Sequence, residues 1–241
     1  MLNFEVHPAI QHSAFSIHHS IMYPQLTGVV RHLLILNVLM YFGTLFLMGQ
    51  PEVGTDNGIE YIDWNRLSLA SFYPTSEYFR PFQIATHMFM HGSLGHLFFN
   101  MLSLYFFGTG LEMAMCAKRF LLFYLTCGLG AWALHMGVQG WEMSQSVDQM
   151  AYRDVPMLGA SGAIFGVLAG YAMLFPNNVI QLLFPPIPLK AKYFVLIMAG
   201  LDLYLGINKM GPGVAHFAHV GGAIFGALLC FFWYKNRRLM G

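Results

Sequence analysis

Apolar residues gather along this chain in six long blocks instead of alternating singly or marking one face of a helix. The blocks lie at 29–48 (VVRHLLILNVLMYFGTLFLM), about 94–113, 119–138, 158–175, 191–208 and 214–234. Each approaches the ~20 residues that a helix needs to cross a bilayer core. Backbone polar groups in lipid must pair within their own segment, so every block is predicted to be a helix. Pro176 stops the fourth block, and Pro185, Pro186 and Pro188 precede the fifth. Lys209-Met-Gly-Pro-Gly213 then turns the chain into the sixth. The expected fold class is an all-α membrane protein with six transmembrane helices. Its expected divisions are a tail at 1–28, a six-span domain at 29–234 and a second tail at 235–241.

The stretch 49–90 between the first two blocks is too long for an idle linker. Its aromatics, among them Trp64, Phe72, Tyr73, Tyr78, Phe79 and Phe82, predict a partly helical segment lying in the membrane interface. A short echo links two later blocks: Gly162-Ala-Ile-Phe-Gly166 recurs as Gly222-Ala-Ile-Phe-Gly226. Glycines four apart leave a smooth helix face that admits another backbone, so the fourth and sixth helices are expected to pack together.

Composition agrees with a lipid setting. Only 10% of the 241 residues are charged and 56% are hydrophobic, against about 25% charged in soluble domains. The formal net charge is +1, and no basic run points to nucleic acid. With six spans, Arg31, Lys118, Arg119, Lys190, Lys192, Lys235, Arg237 and Arg238 share a side with both termini. Arg66, Arg80, Arg153 and Lys209 fall on the other. This asymmetry places both termini in the cytoplasm. The three cysteines, Cys116, Cys127 and Cys230, sit in or beside apolar segments and read as buried free thiols. The first 28 residues are rich in histidine and lack the layout of a cleavable signal.

Polar side chains inside apolar blocks are costly and therefore informative. Ser161 and His219 both fall near the outer ends of their helices, and the glycine faces would bring those helices close. A hydroxyl and a neutral imidazole held ~2.6–3.2 Å apart make an activated nucleophile and its base. His96 and Asn100 are four apart, on one face of the second helix, at similar depth. Their N–H groups could stabilise a developing oxyanion, with the Ser161 backbone N–H as a further donor. His135 reads as structural. Asp202 has no evident role beyond a hydrogen bond between helices, and Glu112 could cap or tie loops at the inner boundary.

At these residues a resemblance becomes specific. His91-Gly-Ser-Leu-Gly-His96-Leu-Phe-Phe-Asn100, Gly159-Ala-Ser161-Gly162 and Ala218-His219-Val-Gly-Gly222-Ala-Ile-Phe-Gly226 resemble, in order and spacing, the signatures of rhomboid intramembrane serine proteases. The resemblance covers about 90–230. It implies a six-helix core in which a Ser–His dyad, with no acidic third member, cuts transmembrane segments near the extracytoplasmic face. It assigns Ser161 as nucleophile, His219 as base, and His96 and Asn100 to the oxyanion hole. It makes His91 a loop-stabilising residue, Gly159, Gly162, Gly222 and Gly226 packing glycines, and Glu112 a structural carboxylate. The 49–90 stretch becomes a lateral loop, 209–213 a cap, and the fifth helix a substrate gate.

The chain departs from the family pattern in places. Phe82-Gln83 stands where many members carry Trp-Arg, with Arg80 slightly upstream. That departure questions the arginine-mediated folding of the loop. Phe165 replaces a frequent tyrosine after the serine motif. His216 is an extra histidine one turn before His219 and lacks the glycines at the family's spacing.

No cofactor and no metal are expected. The expected partners are transmembrane protein substrates and the lipid bilayer, with no nucleic acid, and the expected location is a bacterial inner membrane. Three alternatives stay open on sequence alone. They are an inactive rhomboid-like protein that binds membrane clients, a haem or metal protein suggested by the eleven histidines, and a small channel or carrier.

Overall fold

The computed structural model describes residues 26–48, 53–56, 59–62, 68–147, 153–181, 187–210 and 214–235. Most of both expected tails, Trp64, Pro185 and Pro186 of the proline-rich link, and 211–213 of the expected cap lie outside the described residues.

All six apolar blocks are helical. Helix α1 is Gly28–Met48. The second block runs as α2 (Leu94–Ser103), a widened π turn (Leu104–Gly108) and α3 (Thr109–Met115). Helix α4 is Ala117–Gln145, α5 is Ser161–Leu174, α6 is Ala191–Ile207 and α7 is His216–Lys235. By length and composition, Gly28–Leu47, Ala117–Gln145 and His216–Trp233 suffice to cross a membrane.

Two small antiparallel hairpins qualify the all-α expectation. Strands β1 (Val53–Asp56) and β2 (Ile59–Ile62) pair from Val53 with Ile62 to Asp56 with Ile59. Strands β3 (Val179–Gln181) and β4 (Pro188–Lys190) pair Val179 with Lys190 and Gln181 with Pro188. Cys116 is exposed, not buried, because it forms the corner between α3 and α4.

Helix α5 is the centre of the bundle. Every residue from Gly162 to Gly170 is buried, as expected for a helix that is apolar all round. Phe120, Phe123, Tyr124 and Cys127 of α4 join Ala163, Val167 and Leu168 of α5, and Ala223, Cys230 and Trp233 of α7, in one core. Helix α1 buries only the stripe Val30, Leu33, Asn37, Tyr41 and Thr44, while Ile35, Leu39 and Phe46 are exposed. Helix α6 is also peripheral, with Leu196, Ile197, Tyr204 and Ile207 exposed. Apolar faces of that extent are tolerable in contact with lipid, not water.

The glycine echo marks a backbone-to-backbone seam. A Cβ placed on Gly222 would lie 1.8 Å from the carbonyl oxygen of Gly162, and one on Gly226 would lie 2.5 Å from that of Gly166. Neither site has room for any side chain, so α5 and α7 touch along their main chains.

The far end of the bundle is tied by Glu112, whose carboxylate accepts the backbone N–H groups of Val29 (2.9 Å) and Val30 (2.8 Å) and the hydroxyl of Thr27. A carboxylate on the exposed N–H groups of a helix start is favourable both as a cap and against the helix dipole.

Candidate active site

Ser161 opens α5, and the chain before it is held from several directions. Ser71 and Met157 exchange both backbone hydrogen bonds, at 2.8 and 2.7 Å. The indole N–H of Trp132 donates to the Ser71 hydroxyl at 2.8 Å. The Gly159 N–H donates to the His87 carbonyl at 2.9 Å. Gly159 itself has φ +125, a conformation that glycine adopts without steric cost. A Cβ there would come within 2.8 and 2.9 Å of Cε1 and Nε2 of the His96 ring and 3.5 Å of Ser161 Oγ. The glycine thus lets the His96 imidazole and the serine share one small space.

The segment 68–90 braces this turn. Its organiser is Gln83, almost fully buried, which sequence reasoning passed over as a departure from the family's arginine. Gln83 Nε2 donates to the carbonyls of Ser68 (2.8 Å) and Tyr78 (3.0 Å), and its Oε1 accepts the Arg80 N–H at 3.0 Å. Among the described residues the Arg80 guanidinium donates to two nearby carbonyls, those of Glu77 and Phe79. An amide that both donates and accepts closes the loop where a guanidinium could only donate.

His219 stands in the first turn of α7, and its Nε2 is 2.7 Å from Ser161 Oγ. The Phe165 ring, one turn along α5 from Ser161, lies parallel to the imidazole with centroids 4.4 Å apart and planes 3° apart. The other ring nitrogen, Nδ1, is 3.1 Å from Asp202 Oδ1 on α6. A carboxylate accepts, so Nδ1 carries the hydrogen and the Nε2 lone pair faces the serine hydroxyl.

Asn100 is buried on α2, and its Nδ2 has no hydrogen-bond partner among the described residues. His96 is half-buried, with its ring edge-on to His91 at 5.1 Å. The Ser93 side chain caps α2 by accepting the His96 backbone N–H at 3.1 Å. That cap fixes where α2 starts and hence where His96 and Asn100 lie. Burial, with the His96 ring beside it, pushes the His91 imidazole down to about 3, so it is neutral at ordinary pH. Ala160, at the N-cap of α5, makes no side-chain cap hydrogen bond, and the positive N-terminal end of the helix lies at Ser161.

Not every polar residue singled out in the sequence joins this cluster. Glu112 serves the start of α1. His135 forms no hydrogen bond at Nδ1 among the described residues. His216 does not reach the serine; its Nδ1 is 2.6 Å from Asp202 Oδ1 and its Nε2 is 3.0 Å from the Met210 carbonyl. Asp202 is the residue whose place sequence reasoning missed. An acid inside an apolar helix was the available signal, but its partners are on another helix. The ligand-type atoms of Asp202, His216 and His219 lie within 4.8 Å of one another, the spacing a cation would need. Hydrogen bonds already account for that clustering. A cleft of about 580 Å³ lined by Trp141, Glu142, Gly206, Ile207, Lys209 and Phe217, among others, is separate and includes none of the four residues around Ser161.

Residues 78–236 match the family model described as the Rhomboid domain. The chain is 34% identical over 147 residues to "Rhomboid protease AarA" of Providencia stuartii, covering 59% of this chain and 52% of that protein. It is 32% identical over 151 residues to "Rhomboid protein 1, mitochondrial" of Saccharomyces cerevisiae, covering 62% and 40%. It is 26% identical over 172 residues to "Rhomboid protease GlpG" of Yersinia pseudotuberculosis, covering 70% and 54%. The chain thus spans about half the length of the curated relatives it matches. The matched region contains the serine turn, the glycine seam and both histidine-bearing helix starts, and the chain, an integral membrane protein, belongs to the rhomboid family.

Proposed function

We propose that the chain is an intramembrane serine endopeptidase that cuts transmembrane segments of other proteins near the extracytoplasmic face. The observation that carries this reading is the 2.7 Å approach of His219 Nε2 to Ser161 Oγ. In the first step the serine oxygen attacks a peptide carbonyl while His219 takes its proton. The carbonyl oxygen becomes an oxyanion, stabilised by the Asn100 amide, the His96 ring N–H and the N–H groups at the start of α5. His219 then protonates the leaving amine, and water hydrolyses the acyl-enzyme by the same route.

The six helices all span the membrane in this reading, with both termini cytoplasmic and the site just below the opposite surface. A shallow site explains how water reaches the serine within a lipid setting. A bacterial inner membrane is the proposed location. A helical substrate must unwind to reach Ser161, so segments with glycine or proline near the cut are preferred.

The test is purified protein in detergent, incubated with a generic transmembrane substrate beside Ser161→Ala and His219→Ala variants. Cleavage by the wild type and its loss in both variants are expected. Cleavage surviving in Ser161→Ala would refute the assignment. Binding of intact transmembrane clients by a wild type that never cuts them would favour the client-binding alternative.

A further inference from the structure

A carboxylate in the interior of an apolar helix is costly unless it is paired. Asp202 on α6 is 8% exposed, and the single oxygen Oδ1 meets two imidazoles: His216 Nδ1 at 2.6 Å and His219 Nδ1 at 3.1 Å. Carboxylate and carbonyl oxygens only accept hydrogen bonds. His219 Nδ1 therefore carries a hydrogen. So does His216 Nδ1, and so does His216 Nε2, which faces the Met210 carbonyl at 3.0 Å. A ring that donates from both nitrogens is an imidazolium. The charge of Asp202 is thus balanced by His216, and His219 is left neutral with its lone pair toward Ser161.

We infer that Asp202 is a positioning residue for the catalytic base: it fixes the tautomer and ring orientation of His219, while His216 supplies the counter-charge and fastens the chain after α6 through the Met210 carbonyl. The family resemblance implied a dyad with no acidic member, so this carboxylate extends that scheme. It acts only through His219. When the serine O–H bond breaks, its proton moves to Nε2 and its electron pair forms the new bond to the substrate carbon, as the carbonyl pair moves to oxygen. The resulting His219 imidazolium keeps Nδ1–H on Asp202, which stays ionised, and Nε2–H passes to the leaving nitrogen as the C–N bond breaks. Because Asp202 sits on the peripheral helix α6, the base is aligned only while that helix is seated.

The inference rests on the Ser161–His219 reading, and the experiment separates the two. The full chain in detergent is treated with a small fluorophosphonate, and the second-order rate of Ser161 labelling is followed against pH. A small reagent bypasses substrate entry, so a gating or purely structural role for α6 would not alter the rate. Asp202→Asn keeps an acceptor oxygen and loses the charge; labelling is expected to slow by ~100-fold, in the range seen when a base loses its support. Asp202→Glu is expected to recover part of that loss, and Leu203→Ala, an exposed neighbour on α6, to label like the wild type.

Asp202→Ser gives a second measurement: it removes the carboxylate while keeping an acceptor hydroxyl, and it is expected to label Ser161 as slowly as Asp202→Asn. Wild-type labelling that survives Ser161→Ala, or no wild-type labelling at all, overturns the catalytic reading and this inference with it. Labelling that depends on Ser161 but has the same rate in Asp202→Asn overturns the positioning role alone. So does a wild-type labelling rate in Asp202→Ser, should Asp202→Asn not fold.

Discussion

Substituting Gly222 with alanine tests whether the glycine seam sets the distance between Ser161 and His219. The added Cβ would lie 1.8 Å from the Gly162 carbonyl oxygen, 2.7 Å from its carbonyl carbon and 3.3 Å from its Cα. These are main-chain atoms and cannot swing away. Restoring ordinary contact near 3.5 Å requires α5 and α7 to separate by roughly 1.5 Å. Ser161 adjoins Gly162, and His219 lies one turn before Gly222, so the separation falls directly on the reacting pair. Their 2.7 Å hydrogen bond would open to about 4 Å, beyond bonding distance. A misplacement of that size costs ~10²-fold in rate, and forcing a methyl into a packed seam costs about 1–3 kcal/mol of stability. The assay is fluorophosphonate labelling of Ser161 in detergent, with thermal unfolding measured on the same samples. Gly137→Ala on α4 is the control, since a Cβ there meets no heavy atom within 4 Å. That control should label normally and be as stable as the wild type or more so. Gly222→Ala protein that folds and labels within twofold of the wild type would show that the seam does not set the catalytic distance.

Two further outcomes follow from other parts of the structure. Burial holds the His87 imidazole down at about 4, and burial with the His96 ring holds His91 at about 3, against 6.5 for either when free. The unfolded chain therefore binds protons that the folded chain refuses: stability is whole above about pH 6.5 and declines toward pH 4, by up to ~1.4 kcal/mol per pH unit for each histidine. Thermal midpoints recorded from pH 7.5 to 4 should trace that decline, and His91→Phe should flatten it; a level wild-type profile would contradict it. Cys116 adopts φ 65 and ψ 154 at the α3–α4 corner, a region that costs a side chain about 1–3 kcal/mol and that glycine enters freely. Cys116→Gly should accordingly raise stability by ~1 kcal/mol in a denaturant titration, and a lower midpoint would count against the strain.

Much of the fold is legible in hydropathy because lipid imposes one rule on every segment it surrounds. The predicted 29–48 and 191–208 are the observed Gly28–Met48 and Ala191–Ile207 within a residue. Helix α4 instead continues from the predicted end at 138 to Gln145. Hydropathy marks where an apolar solvent stops, whereas a helix runs on through Trp141 and Glu142 as long as its backbone bonds are made. The 49–90 stretch was harder to read. Its described part holds the β1–β2 hairpin, one helical turn at Gln83–Thr86 and a 3₁₀ turn at His87–Phe89. What orders 68–90 is the amide of Gln83 and the pairing of Ser71 with Met157, and both depend on partners no local pattern reveals.

The sequence by itself determined the helical blocks, the glycines that let two of them meet, and the serine and histidine signatures near their starts. Each of these is a property of one segment in its solvent, or of motifs short enough to read directly. Only the tertiary structure decided that Asp202 faces His219 and His216 across two helices, that His216 turns away from Ser161, and that Gln83 ties the loop through Ser68, Tyr78 and Arg80. Those outcomes depend on the rotation and depth of one helix against another. A side chain's partner lies wherever packing puts the next surface, and in this chain that surface is set where the carbonyls of Gly162 and Gly166 lie against Gly222 and Gly226.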